Sequence, residues 1–399
     1  MKVKEIICVL PVGLWQRELI IKVKGMGYDI LGLDFSNTAI CKDECDIFKQ
    51  IDILDKNKVL KICQKYNIKA IVTDQTDLSV PIVSYVSRKM QFNNISEKSA
   101  KIFTNKYLMR EFCNNNNFTT PSYKLISTKN EALDFIKDVE LPVVLKPIDS
   151  KSSQGVSIVK NVIDLGVAID EAFKYSKNKN VLIEKYIGGI EVTAEGYKTK
   201  NKHYTLATSY KEKMNYNETI AKKLIYINSS NHVPFKKLRD LNNALIEKMG
   251  LEYGITHAEY KYYNEKFYLI EVAARGGGTN ISSIIVPTVS NIDILQLYLD
   301  DTINGLLDMK LEFFNSNCVI LGFFDFDNGK VSQINTKQEF LNASNGILDY
   351  KLEFKEGDII NEAKDDRSRS GYYIIKAKSI NELALLEQKL LDSIDIEYA

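Results

Sequence analysis

The segment 142-PVVLKPIDSKSSQGVSIV-159 runs an apolar stretch into Lys146. A polar loop with Ser150, Ser152, Ser153 and Gly155 follows, and a second apolar run starts at Val156. A lysine at the end of a buried strand is costly unless it meets an anion. The loop offers backbone N–H groups and hydroxyls suited to phosphate oxygens. It lacks the Gly-Lys-Ser/Thr ending of a loop that feeds a helix. A mobile hairpin with a surface lysine is an equal reading of this segment alone.

Two further segments carry paired acids. In 181-VLIEKYIGGIEVTAEGY-197, Glu184 and Glu191 flank a Gly188-Gly189 turn. An apolar, tyrosine-containing hinge between two carboxylates can hold a purine ring, with a carboxylate on ribose hydroxyls. An ordinary hairpin with exposed glutamates is the alternative. In 255-ITHAEYKYYNEKFYLIEVAARGGG-278, His257 and Glu259 alternate and so share a strand face. A hairpin through about 262–266 brings Glu259 near Glu271. Two carboxylates on one face repel unless protonated or bridged by a cation, and Mg²⁺ shared with substrate phosphates fits. For His257, a satisfied core histidine is an equal reading.

Alternating elements must position these groups. Apolar strands at 4–10, 28–34 and 69–74 alternate with helical patterns at 15–27 and 57–67, which predicts a parallel sheet. The turn after the first strand has one glycine, Gly13, so the dinucleotide fingerprint is absent and Asp34 reads as a strand-end turn residue. Residues 96–116 are helical, and the chain is extended after Pro121. From 141 to 209 the pattern is strand, loop, strand, helix and three strands. An amphipathic helix covers 235–249. After about 310 the chain is β-rich and closes with a helix at 380–394. The asparagines 114–117 read as a short polar loop.

The 399 residues suit two or three domains. Lys plus Arg number 53 against 52 Asp plus Glu, so no global field points to nucleic acid or an anionic membrane. No run reaches a membrane span, and the N-terminal apolar run is too short for a signal peptide. The six cysteines are scattered, which suits a reducing, cytoplasmic setting. Cys41 and Cys45 have no second pair at zinc spacing.

In the order lysine–loop, Glu-x6-Glu hinge and Glu-x11-Glu hairpin, the chain resembles the ATP-grasp superfamily over roughly residues 1–310. The resemblance implies a parallel α/β domain at 1–95 and an ATP-grasp fold of two α+β subdomains at 96–310, with a mobile lid at 118–190. A small β-rich α+β domain at 311–399 completes it. ATP with Mg²⁺, or Mn²⁺, is the implied cofactor set. Lys106 and Lys146 would contact its phosphates under the loop Ser152, Ser153, Gly155 and Val156. Glu184, Lys185 and Ile187 would hold adenine, and Glu191 ribose. Glu259 and Glu271 would bind metal. Arg275, whose fork suits carboxylate or acyl-phosphate oxygens, would act in catalysis with Glu271 and His257. Gly276, Gly277 and Gly278 would let the backbone approach substrate.

Many members carry asparagine where this chain has Ala273, and Asn280 is the substitute ligand at hand. The loop has Gln154 where relatives often have arginine. Lys211, Lys213, Lys222 and Lys223 compete for a further phosphate contact. The His257-x-Glu259 pair and the tail 367–390 resemble L-amino-acid ligases, which implies a carboxylate and an amine as small-molecule substrates. A homodimer is compatible with this reading; nucleic acid and membrane are not expected partners. A bicarbonate-activating carboxylase and an ATP sensor without turnover are the other readings.

Overall fold

The computed structural model describes residues 4–148, 155–176, 180–306, 309–314 and 317–399. The N-terminal part consists of β1 (Ile6–Val9), α1 (Arg17–Gly25), β2 (Asp29–Asp34), β3 (Ile47–Gln50), α2 (Lys56–Lys65), β4 (Ala70–Val72) and α3 (Val80–Met90). Its strands form a parallel sheet in the order β3-β2-β1-β4. The edge strand β3 escapes the sequence pattern because half of its IFKQ run faces solvent. Asp34 closes β2 by accepting from the amides of Val12 and Ser36, as a strand-end turn residue should.

The helical stretch expected at 96–116 is two helices, α4 (Glu97–Thr104) and α5 (Lys106–Asn115). Between them, the Asn105 side chain accepts from the Leu108 amide and so starts α5 with a cap. The polar loop expected at 114–117 begins later, because Asn114 and Asn115 complete α5. Only Asn116 and Asn117 leave it, Asn117 in the left-handed region.

A small subdomain follows: β5 (Tyr123–Ile126), α6 (Lys129–Val139), β6 (Val143–Pro147), β7 (Ser157–Val159), α7 (Leu165–Tyr175) and β8 (Val181–Lys185). Its antiparallel sheet, β5-β8-β6-β7, packs with both helices around a core of its own, including Phe135, Leu145, Ile169 and Ile183.

The remaining chain builds one large sheet of eight strands and a small one of three. Its first elements are β9 (Ile190–Lys198), β10 (His203–Met214), β11 (Asn217–Tyr226), α8 (Phe235–Met249), β12 (Gly254–Tyr263), β13 (Lys266–Ala273), α9 (Val286–Ser290) and α10 (Ile294–Asn304). Then come β14 (Cys318–Phe323), β15 (Gly329–Thr336), α11 (Gln338–Ala343), β16 (Ile347–Leu352), β17 (Ile359–Ile360), β18 (Gly371–Ala377), α12 (Ile380–Leu391) and β19 (Ile394–Tyr398). Eight strands join in the order β13-β12-β9-β10-β11-β14-β18-β16. The boundary expected at 310 therefore falls between strands of one continuous sheet, because β14 pairs with the edge of β11. Among the described residues no single helix is long and apolar enough to cross a membrane.

Candidate active site

The β12–β13 hairpin turns through Asn264 and Glu265, both with positive φ, a two-residue turn that fixes the ladder from Tyr263↔Lys266 to Tyr260↔Leu269. Continued without a break, that register would set Glu259 opposite Ile270 and turn Glu271 to the other face. The register shifts between Glu259 and Tyr260, leaving Ile270 as the extra residue. This bulge sets Glu271 opposite Glu259, so both carboxylates share one face. Arg110 of α5 donates Nη2 to the Ile270 carbonyl at 2.7 Å.

These carboxylates stand at a cavity of about 150 Å³ between the small subdomain and the large sheet. Lys106, Lys146, Val156, Glu184 and Lys185 line it from α5 and the small subdomain. Ile187, Glu191, Glu259 and Glu271 complete the wall with Lys213 and Lys261. Gly155 is not part of this wall; it has φ +68°, and a Cβ there would meet Pro147 and Tyr175 at 2.9 Å. Ser152, Ser153 and Gln154 lie outside the described residues. The Lys185 ammonium points to the carbonyls of Glu140 and Leu141.

Every acid of the cavity floor has a cation. Glu184 is buried and takes Arg110 Nε and Lys146 Nζ, each at 2.6 Å. Burial alone would raise its carboxyl, but Arg110 and Lys146 hold it down to about 2. The same burial pulls the Lys146 ammonium below its ordinary value, against Glu184. Glu191 meets Lys211 at 2.8 Å, Lys213 at 3.0 Å and Lys261 at 3.3 Å. Lys211 also reaches Glu259 at 2.7 Å, and Lys106 reaches Glu271 at 3.0 Å. The four competing lysines are thereby sorted. Lys211 and Lys213 face the site, while Lys222 pairs with Asp325 and Lys223 with Glu212 and Glu387.

His257 stands behind Glu259. Its Nδ1 lies 2.8 Å and 3.0 Å from the two oxygens of Glu195, and its Nε2 lies 3.2 Å from Glu259 Oε1. Burial disfavours the charged ring, but Glu195 and Glu259 prevail and raise it to about 9. Arg275 forms a two-pronged pair with Asp77, Nε–Oδ1 at 3.0 Å and Nη2–Oδ2 at 2.7 Å, and donates Nη1 to the Gly276 carbonyl. The glycines after it answer to the protein's own packing. A Cβ on Gly276 would stand 2.5 Å from Ser282 Oγ and 2.6 Å from Asp74 Oδ1. One on Gly277 would stand 2.7 Å from Ile281 Cδ1, and only Gly278 opens onto free space.

Arg110, Asp77 and Glu195 were not singled out in the sequence, though each left a trace. Arg110 is four residues after Lys106, on the same helix face. Asp77 lies just beyond the carboxyl end of β4, where open parallel sheets place ligand-facing loops. Glu195 alternates with Thr193 and Glu191 along one face of β9.

The donor set suits a hard divalent ion. Two adjacent carboxylates fit one Mg²⁺ whose other ligands are phosphate and water oxygens. Among the described residues no three His, Cys, Asp or Glu side chains form a metal cluster on their own. Asn280 donates Nδ2 to Asp349 of β16, and its Oδ1 accepts from the Ser283 hydroxyl at 3.3 Å.

Residues 139–283 match the ATP-grasp domain family. Its sequence is similar to D-alanine--D-alanine ligase of Helicobacter pylori (strain P12), 36% identical over 166 residues, 41% of this chain and 44% of that protein. The match thus spans less than half the length of that relative. Over the whole chain the fold is similar to L-amino acid ligase from Bacillus licheniformis, with TM-score 0.82, 16% identity and complete coverage of both chains. It is also similar to the biotin carboxylase domain of Hydrogenobacter thermophilus 2-oxoglutarate carboxylase, a structure in complex with MgADP and bicarbonate, with TM-score 0.76 and 16% identity. That match covers 100% of this chain and 91% of the other.

Proposed function

We propose that the protein is an ATP-dependent carboxylate–amine ligase that forms an amide or peptide bond and releases ADP and phosphate. The observation that carries this reading is the cavity itself, where lysines and paired glutamates converge. The apolar walls at Val144, Val156, Ile187 and Ile270 suit a flat base. Lys106 and Lys146 take the phosphates, and Glu191 takes ribose hydroxyls. Glu259 and Glu271 would hold Mg²⁺, which when bound offsets phosphoryl charge. Their negative charge is met by Lys211 and Lys106. When nucleotide and metal bind, lysines can turn to phosphate and glutamates to metal, so each charge keeps a counter-charge.

A carboxylate oxygen then attacks the γ-phosphorus and ADP departs, giving an acyl phosphate. The lysines neutralise charge on the transferring oxygens. An amine attacks the acyl carbon, the C–O bond to phosphate breaks, and the amine proton leaves to solvent. Arg275 lies four residues beyond Glu271, and its N–H groups not taken by Asp77 or Gly276 can hold acyl oxygens.

The test is a matrix of carboxylates and amines scored for ADP and phosphate, with and without bicarbonate. Turnover is expected only with acid and amine together. AMP and pyrophosphate would overturn the acyl-phosphate route, bicarbonate dependence would favour a carboxylase, and binding without turnover a sensor. Glu271→Gln should lower turnover by about 10²–10³ while ADP still binds.

A further inference from the structure

His257 links a proposed metal ligand, Glu259, to Glu195, an acid sealed in the sheet. On β12 it lies between Glu195 of β9 and Ala273 of β13, its partners on the two neighbouring strands. Ala273 offers the ring no polar atom. Glu195 is 1% exposed and does not line the cavity. Its Oε1 also accepts from the Tyr226 hydroxyl at 3.3 Å, which ties it to β11. The ring bridges this buried acid to Glu259 Oε1. A carboxylate only accepts, so each ring nitrogen donates, one to Glu195 and one to Glu259. No ring nitrogen then remains to take a proton from substrate. Gly277 leaves space beside Nδ1, where a Cβ would stand at 3.1 Å, so the backbone walls that side of the ring.

We infer that Glu195 is a positioning residue for the divalent ion: acting through His257, it fixes the orientation of Glu259 and so sets metal affinity in the nucleotide complex. This rests on the proposed nucleotide and metal site. Held at Nδ1, the imidazole cannot rotate about its Cβ–Cγ bond, and its Nε2–H stays aimed at Glu259 Oε1. Glu259 faces Glu271 across the ladder, and the contacts of His257 and Lys211 are both to its Oε1. With an apolar residue at 195 the ring is released, and Lys211 remains as a donor to Glu259. Partners that orient metal ligands in this way are commonly worth about 10- to 100-fold in metal affinity.

The experiment is a Mn²⁺ titration of the full chain by electron paramagnetic resonance, with saturating ADP, beside ADP affinity measured by calorimetry. Glu195→Leu should weaken Mn²⁺ binding by about 10- to 100-fold and leave metal-free ADP affinity unchanged. Glu195→Gln keeps an acceptor for Nδ1–H and should restore most of the loss. If leucine prevents folding, Glu195→Asp, which shortens the bridge by one methylene, should weaken Mn²⁺ in the same way. In the double variant Glu195→Leu/His257→Gln the loss should not exceed that of His257→Gln alone. Unchanged Mn²⁺ affinity in every folded Glu195 variant, with ADP and Mn²⁺ binding normally to wild type, overturns the inference and leaves the ligase reading standing. Failure of wild type to bind Mn²⁺ with ADP overturns both.

Discussion

Arg275 illustrates how a charged side chain can hold two roles. Its pair with Asp77 is largely shielded, with 14% and 22% of the two side chains exposed. Burial opposes its charge, yet Asp77 keeps the guanidinium above its ordinary value. Removing the arginine therefore strands a buried carboxylate. Arg275→Ala should destabilise the fold by about 3 kcal/mol, and the double variant Arg275→Ala/Asp77→Ala should recover most of that. Turnover should not recover in the double variant if Arg275 also holds acyl oxygens. Urea unfolding midpoints read the first effect, and kcat/KM for the acid substrate reads the second. Full recovery of both would make the arginine purely structural.

At the scale of the element, the bulge at Ile270 is what brings the two acids to one face. A two-residue turn and an unbroken ladder would place Glu259 and Glu271 on opposite faces, since opposed residues share a face and neighbours alternate. Deleting Ile270 removes the extra residue, so the ladder should run from Tyr260↔Leu269 straight to Glu259↔Glu271 and both acids should keep one face. The expected result is retained ADP-dependent Mn²⁺ binding, with far-UV circular dichroism close to wild type. Loss of Mn²⁺ binding would mean that the bulge itself, with the Ile270 carbonyl held by Arg110, is needed to hold the pair. Sequence spacing brought the two glutamates to neighbouring strands but could not show the extra residue, because a bulge adds nothing to residue type.

Over the whole molecule, packing divides unevenly. One apolar cluster runs from Ile7 and Val72 of the N-terminal sheet through Ile281 and Leu295 to Val319 and Ile374 of the large sheet. Trp15, the chain's one tryptophan, meets Tyr372 of β18 edge-on at 5.6 Å. The small subdomain instead keeps its own core. Hydrogen exchange should therefore show β5–β8 opening as a separate unit of lower protection, while the N-terminal and large sheets exchange together. ADP with Mg²⁺ should slow exchange in β6 and β8 most, since Lys146 and Glu184 lie on them. Uniform protection across both units would contradict this division.

The sequence by itself determined the kinds of chemistry and their local setting. Lys146 ends an apolar run, Glu184 and Glu191 flank a glycine turn, and His257 shares a face with Glu259, because strand period and side-chain type are local properties. It also delivered the parallel alternation of the first 74 residues. Tertiary structure alone decided partners. Arg275 finds Asp77 across 198 residues, Arg110 finds Glu184 across 74, and His257 finds Glu195 across 62. It selected Lys211 and Lys213 over Lys222 and Lys223, although all four lie within one hairpin. The reason is physical: a buried charge is stable only beside its counter-charge. Which counter-charge that is depends on strand order, register and one bulge, none of which is written in the spacing of the residues that meet.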